Sequence, residues 1–157
     1  DFQCPAQNII GVPEALACKP GDPWKLLQGI YERRFPGVPV RLMSSNESEL
    51  AKLAINTFFK AKVCMFNAIH MACLEVGARF DKVSEVLLGD GRIAHAHHRV
   101  PGQDGKFGAG GYCLSKDPDS FRDIFASAEN PTGKTRAAAA FLQSMKDFNY
   151  AVRGSHT

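Results

Sequence analysis

No apolar run in this chain approaches the roughly 20 residues needed to cross a bilayer, and nothing in it resembles a secretory leader. Charge of one sign is also scarce. The formal net charge is +3, from 19 Lys and Arg against 16 Asp and Glu, and the basic residues are dispersed. That excludes the clustered basic face with which proteins hold nucleic acid. Cysteine is sparse and odd in number, five without regular spacing, which argues against a disulfide framework. Cys64 and Cys73, nine apart on an expected helix, point to opposite faces and cannot pair with each other. The expectation is reduced thiols in the cytoplasm, with no membrane and no nucleic acid as partner. No Gly-x-Gly-x-x-Gly follows a strand, so these residues lack the phosphate cradle of a dinucleotide-binding unit. An initiating methionine is missing too. The chain opens at Asp1 and reads as a fragment, the middle of something longer.

What is present is ordinary in bulk. The 157 residues are one domain's worth, 45% apolar and 22% charged, enough for one substantial core. Asn8 to Val12 (NIIGV) reads as a buried strand. Asp22 reads as an N-cap before Pro23, and Trp24, Leu26, Leu27, Ile30 and Tyr31 recur at helical spacing up to about Phe35. Val38 to Met43 alternates like a second strand, with Pro39 placing it at an edge or a strand start. Strand, helix, strand is the tail of an α/β unit, too little to form a sheet of its own.

Ser44 with Glu47 is a capping box, and Asn46 with Glu49 a second candidate. The run that follows reaches Gly77 without proline or glycine, a helix of roughly 45 Å. Leu50, Leu53, Ala54, Thr57, Ala61, Cys64, Met65, Ala68 and Ala72 form an apolar stripe on it. Ile55, Phe58, Phe59, Val63, Phe66 and Ile69 fill much of the rest. A helix apolar nearly all round is covered from several sides, a partner subunit among them. Asp81 then caps a short helix ending at Gly89, and residues 89–111 are loop. Further helices are expected from Pro118 to about Ala128 and from about Thr132 to Val152. The fold class is mainly α: a long central helix with surrounding helices, preceded by a short α/β remnant.

The stretch Phe107 to Asp117, FGAGGYCLSKD, concentrates chemistry. Gly108, Gly110 and Gly111 allow a ligand close to the backbone, and their amides with a helix N-terminus make a concave anion site. Cys113 follows at once, and positive potential favours the nucleophilic form of a cysteine. Lys116 and Asp117 come next. The plainer reading is a glycine turn, a small apolar cysteine, and Asp117 as a simple N-cap before Pro118. Lys52 and Asn56 stand four apart on the long helix and project together; by themselves they also suit a solvated helix face.

Together these pieces are more specific. ELAKLAINTFFKAKVCMFN (Glu49 to Asn67), GDGRI (Gly89 to Ile93) and FGAGGYCLSKD, in that order, resemble the UDP-glucose/GDP-mannose dehydrogenase family. The resemblance covers most of the chain. It implies that residues 1–44 are the C-terminal part of an NAD-binding α/β domain and 45–157 the helical, dimer-forming central domain. The implied activity is oxidation of a sugar nucleotide's primary alcohol to a carboxylate, with NAD bound mainly by a domain outside this chain. UDP-glucose to UDP-glucuronate is the type reaction.

By the same resemblance Cys113 is the nucleophile that traps the intermediate aldehyde as a thiohemiacetal, later a thioester. Lys52 and Asn56 hold the reacting oxygen. Asp117 assists proton transfer or activates water. Lys116 lies near the cofactor. The loop from Gln103 to Gly111, with Phe107, Gly108, Gly110 and Gly111, covers the substrate, and Arg92 reaches the sugar site of a neighbouring subunit in a homodimer. Three positions depart from the pattern: Ala68 where glutamate is usual, Ala94 for glycine, and Ser115 for proline. The chemical residues are all in place.

Two other readings stand beside this one. A non-catalytic dimerisation or assembly module would keep the helix and lose the chemistry. A metal site at His95, His97 and His98 would use alternating imidazoles, but no acidic or cysteine partner at regular spacing accompanies them, so no metal is expected.

Overall fold

The computed structural model describes residues 5–13 and 23–154. Within them the order is β1 (Asn8–Val12), α1 (Pro23–Arg34), β2 (Val40–Ser44), α2 (Ser45–Glu75), α3 (Phe80–Gly89), α4 (Tyr112–Ala126) and α5 (Gly133–Arg153). The chain is mainly helical, with one short parallel sheet. It forms two compact units, Asp1–Lys52 and Leu53–Thr157.

In the first unit β1 and β2 do pair, in parallel, with Asn8 opposite Val40 and Val12 opposite Ser44. Two strands of five residues are enough because the connecting helix α1 packs on both. Ile10 and Val12 are buried, while Leu26 on α1 and Leu42 on β2 remain exposed. The expected cap at Asp22 lies outside the described residues. The box at the start of α2 is as read. Ser44 Oγ accepts from the Glu47 amide at 3.2 Å, and the Glu47 carboxylate accepts from the Ser44 amide at 2.8 Å. The bond from the Ser44 amide, and then one from the Ser44 hydroxyl at 2.9 Å, hold the Glu47 carboxyl below its ordinary value.

In the second unit α2, α4 and α5 meet around Cys64, Leu142 and Met145, with Ala61, Phe121, Phe125 and Phe148 packed against them. The buried side of α2 keeps part of the expected stripe, Thr57 and Cys64 with Ala61 against the core, but it also takes in Lys60 and Asn67. Thr57, Lys60, Cys64 and Asn67 are buried at helical spacing, whereas Phe58 and Met65 are 67% and 61% exposed. Burial follows what the face must contact, and two of those contacts are polar. Thr132 caps α5 by bonding reciprocally with Thr135. No helix among the described residues is long and apolar enough to cross a membrane.

Two helix starts differ from expectation. Asp81 does not cap α3: Arg79 holds the N-cap position, and Asp81 sits in the first turn, bonded to the Arg79 guanidinium at 3.1 and 2.5 Å. There its charge favours the helix N-terminus. More consequential, α4 opens at Tyr112 with Gly111 as N-cap, and Pro118 lies inside it. Pro118 removes one N–H from the helical ladder, a loss of about 3 kcal/mol in an exposed interior. Both Asp117 and Pro118 are buried, so tertiary packing overrides the local signal for a later start.

Candidate active site

Because α4 begins at Tyr112, Cys113 stands in the first turn of a helix entered directly from the glycine loop. Gly111 has φ +86°, with nothing within 4 Å of where a Cβ would be, a backbone that glycine adopts without strain. Cys113 is exposed. Asp117, one turn further on, is fully buried. It is part of the helix rather than its cap. Its Oδ2 accepts from Asn56 Nδ2 at 2.5 Å, and its Oδ1 from Lys116 Nζ at 2.5 Å. A carboxylate removed from water requires such donors. The bond to Asp117 pushes the Lys116 ammonium above its ordinary value, and Lys116 also lies over the Tyr112 ring at 5.3 Å.

The second unit thus brings Asn56, Lys116 and Asp117 into contact, with Cys113 four residues before Asp117 on the same helix. Lys52 closes the first unit, on α2 one turn before Asn56. Arg92 pairs with Asp90 at 2.9 and 2.6 Å and is 88% exposed. Gly108, Gly110 and Gly111 line a cleft of about 570 Å³ whose other residues include His95, His97, His98, Arg99 and Gln103. Cys113, Asp117 and Phe107 are not among its lining residues. Phe107 lies against His70 at 5.5 Å.

The histidines turn to aromatic neighbours. His97 stacks on Phe59 at 4.1 Å, and His98 meets the edge of Phe66 at 6.1 Å. Among the described residues no three His, Cys, Asp or Glu side chains converge in a metal-binding group. The Lys62 ammonium bonds the Ala94 carbonyl and ties this loop to α2. Burial, then the Lys62 charge, moves the His97 imidazole below its ordinary value of 6.5.

Three residues that the motifs did not single out hold the glycine loop. Asn67 Oδ1 accepts from the Gly108 amide at 3.0 Å, and Asn149 bonds both the N–H and the C=O of Ala109, at 2.7 and 3.1 Å. Arg153 donates to the carbonyls of Phe107 and Gly108 at 3.3 Å each. Asn67 was visible as an asparagine inside an apolar helix. Asn149 and Arg153, more than 35 residues downstream of the loop, carried no local signal.

Comparison with known proteins identifies the family. Residues 46–149 match the model of the UDP-glucose/GDP-mannose dehydrogenase family, central domain. A UDP-glucose 6-dehydrogenase of Streptococcus pneumoniae is 35% identical over 91 residues, 55% of this chain and 22% of that protein. One from Drosophila melanogaster is 30% identical over 123 residues, 78% of this chain and 24% of that protein. One from Campylobacter jejuni is 28% identical over 130 residues, 83% of this chain and 30% of that protein. The chain belongs to the UDP-glucose/GDP-mannose dehydrogenase family. The matched segments span less than a third of those relatives' length.

Proposed function

We propose that this chain is the central, cysteine-bearing part of an NAD-dependent nucleotide-sugar 6-dehydrogenase, with UDP-glucose as the type substrate. In this division residues 1–44 belong to an NAD-binding domain and 45–157 to the central domain. The observation that carries the reading is the buried Asp117 carboxylate, bonded by Asn56 and Lys116, on the helix that presents Cys113 at its first turn. A structural cap would stand exposed at the helix N-terminus; this carboxylate is fully buried inside α4.

The chain's own residues divide the work as follows. The Cys113 thiolate adds to the aldehyde carbon formed by the first oxidation, and the carbonyl oxygen takes a proton, giving a thiohemiacetal. Loss of hydride from the carbon of that adduct, with loss of its hydroxyl proton, gives a thioester. Water then adds to the thioester carbon, the C–S bond breaks, and the carboxylate leaves with the thiolate restored. Asn56, with Lys52, steadies oxygen as charge develops on it. Asp117 takes the proton from the attacking water. The glycine loop and Arg92 are assigned to the substrate. NAD, when bound, supplies the acceptor for the two hydrides. The residues here do not make its phosphate cradle, since β1 runs into Pro13 rather than a glycine-rich turn; Lys116 alone is assigned toward it.

The test is NADH formation with UDP-glucose by the protein made from the complete reading frame around these residues. Two NADH per UDP-glucuronate are expected, with carboxylate formation lost in Cys113→Ser. No NADH from UDP-glucose, UDP-N-acetylhexosamines or GDP-mannose would overturn the reading.

A second reading, an assembly module without chemistry, draws on the exposed apolar face of α2, where Phe58 and Met65 are 67% and 61% open to solvent. A patch of that kind suits a partner. We assign it to a homodimer contact under either reading. Phe58→Glu with Met65→Glu is expected to convert a dimer into a monomer in sedimentation; a wild type that sediments as a monomer removes the assignment.

A further inference from the structure

We infer that helix α5 positions the cysteine loop, and that Arg153 is the positioning residue. The inference rests on the reading of Cys113 as the nucleophile. It starts from an accounting of backbone groups. The segment 107–109 forms no ladder, and Gly108 and Ala109 in it are buried, so their amides and carbonyls need partners from elsewhere. Asn67 and Asn149 serve Gly108 and Ala109, as described above. The two carbonyls of Phe107 and Gly108 both take Arg153 Nη1, at 3.3 Å each. The Nη2 of the same guanidinium meets Asp104 Oδ2 at 2.5 Å. That bond holds the Asp104 carboxyl below its ordinary value. The side chain of Arg153 is only 10% exposed. Arginine suits this place because one planar fork reaches two carbonyls and a carboxylate together, which a lysine cannot do.

Sterics make the same point independently. A Cβ on Gly110 would lie 2.1 Å from Arg153 Nη2 and 2.3 Å from its Cζ. Gly110 is not among the positive-φ glycines, so its backbone conformation would accept alanine. What requires glycine at 110 is the guanidinium lying against it. Gly108 is hemmed in as well, with Asn149 Oδ1 2.9 Å from its would-be Cβ. Gly108 also has a left-handed φ of +71° that favours glycine by itself, so Gly110 is the loop glycine that α5 alone explains; Gly111 faces open space. Since Gly111 caps α4, whatever holds residues 107–110 also sets where the first turn of α4, and Cys113 in it, is placed.

Arginine 153 and Gly110 can be tested as a pair. At position 110 the three atoms nearest to an alanine Cβ all belong to one flexible side chain, that of Arg153, so Gly110→Ala should expel the guanidinium and mimic its loss. In Arg153→Ala, amide exchange at Gly108–Tyr112 is expected to quicken at least tenfold. Cys113 alkylation should slow at least threefold, because a frayed first turn no longer fixes the helix terminus at the sulfur. Gly110→Ala should reproduce both effects, and the double variant should add nothing to Arg153→Ala.

Unchanged exchange in Arg153→Ala, or a Gly110→Ala effect that adds in full, overturns the inference. So does a loosened loop with Cys113 alkylation unaltered. Retained protection of Cys64 and Cys73 in the same samples reports that the core is intact. If Arg153→Ala does not fold, Gly110→Ala alone decides, read by the same exchange and alkylation. The exchange measurement does not depend on any dehydrogenase activity, so failure of the functional reading and failure of this one are told apart.

Discussion

Asn56 on α2 donates to the fully buried carboxylate of Asp117 on α4 at 2.5 Å, across 61 residues of sequence. The bond joins the long helix to the helix of the cysteine and gives each a fixed register on the other. Removing the donor leaves a charged oxygen less well satisfied away from water, and bonds to charged groups are among the stronger ones. Asn56→Ala should cost about 2 kcal/mol of stability, measured by urea unfolding; an unchanged midpoint would mean that the amide only fills space.

Among the described residues Cys113 is the exposed thiol, and Cys64 and Cys73 are buried. Burial also pushes the Cys64 thiol above its ordinary value. Faster alkylation of Cys113 than of those two would therefore report exposure alone. The sharper comparison is Cys113 in the folded chain against the same thiol in urea. A nucleophile at a helix N-terminus is expected to react at least fivefold faster when folded near pH 7; equal rates would remove the special character of this cysteine.

Lys60 is only 4% exposed, and burial lowers its ammonium from the ordinary value. Asp119, the carboxylate that attracts it, is already bonded by Lys146 at 2.8 Å. An apolar side chain of similar length would avoid the desolvation and leave that pair intact. Lys60→Met is expected to raise stability by about 1–2 kcal/mol, read as a higher melting temperature. A lower one would show that the ammonium holds a contact stronger than its desolvation.

The His97 imidazole, depressed below 6.5 in the folded chain, sets a pH window. In the unfolded chain the ring binds a proton near 6.5, whereas the folded chain resists it. The unfolded state thus holds more protons as pH falls through that value, and stability declines. It should be full above about pH 7 and fall below about pH 6.5. Asparagine tolerates the left-handed φ of +59° at this position. His97→Asn should therefore show a smaller loss of melting temperature between pH 7.5 and 5.5, whatever its absolute stability.

Local signals were read well where the physics is local. The Ser44–Glu47 box joins residues three apart whose side chains bond the backbone beside them, and the apolar run that marks NIIGV as a strand lies within five residues. The start of α4 was misplaced because Pro118 is a strong local sign of a helix beginning, and only the burial of Asp117 and Pro118 outweighs it. The stripe on α2 held at Thr57, Ala61 and Cys64 and failed at Met65 for a related reason. Hydrophobicity ranked Phe58 and Met65 as core, yet the buried face carries Lys60 and Asn67, whose partners lie elsewhere in the chain.

The sequence by itself determined the helical character, the family and a short list of candidate side chains, since motif and periodicity are properties of neighbours along the chain. Only the tertiary structure decided that Asp117 is a buried acceptor rather than a cap, and that Arg153 occupies the space a side chain at Gly110 would need. Those facts depend on which helices lie against each other, and burial and close approach belong to residues far apart in sequence and adjacent in space.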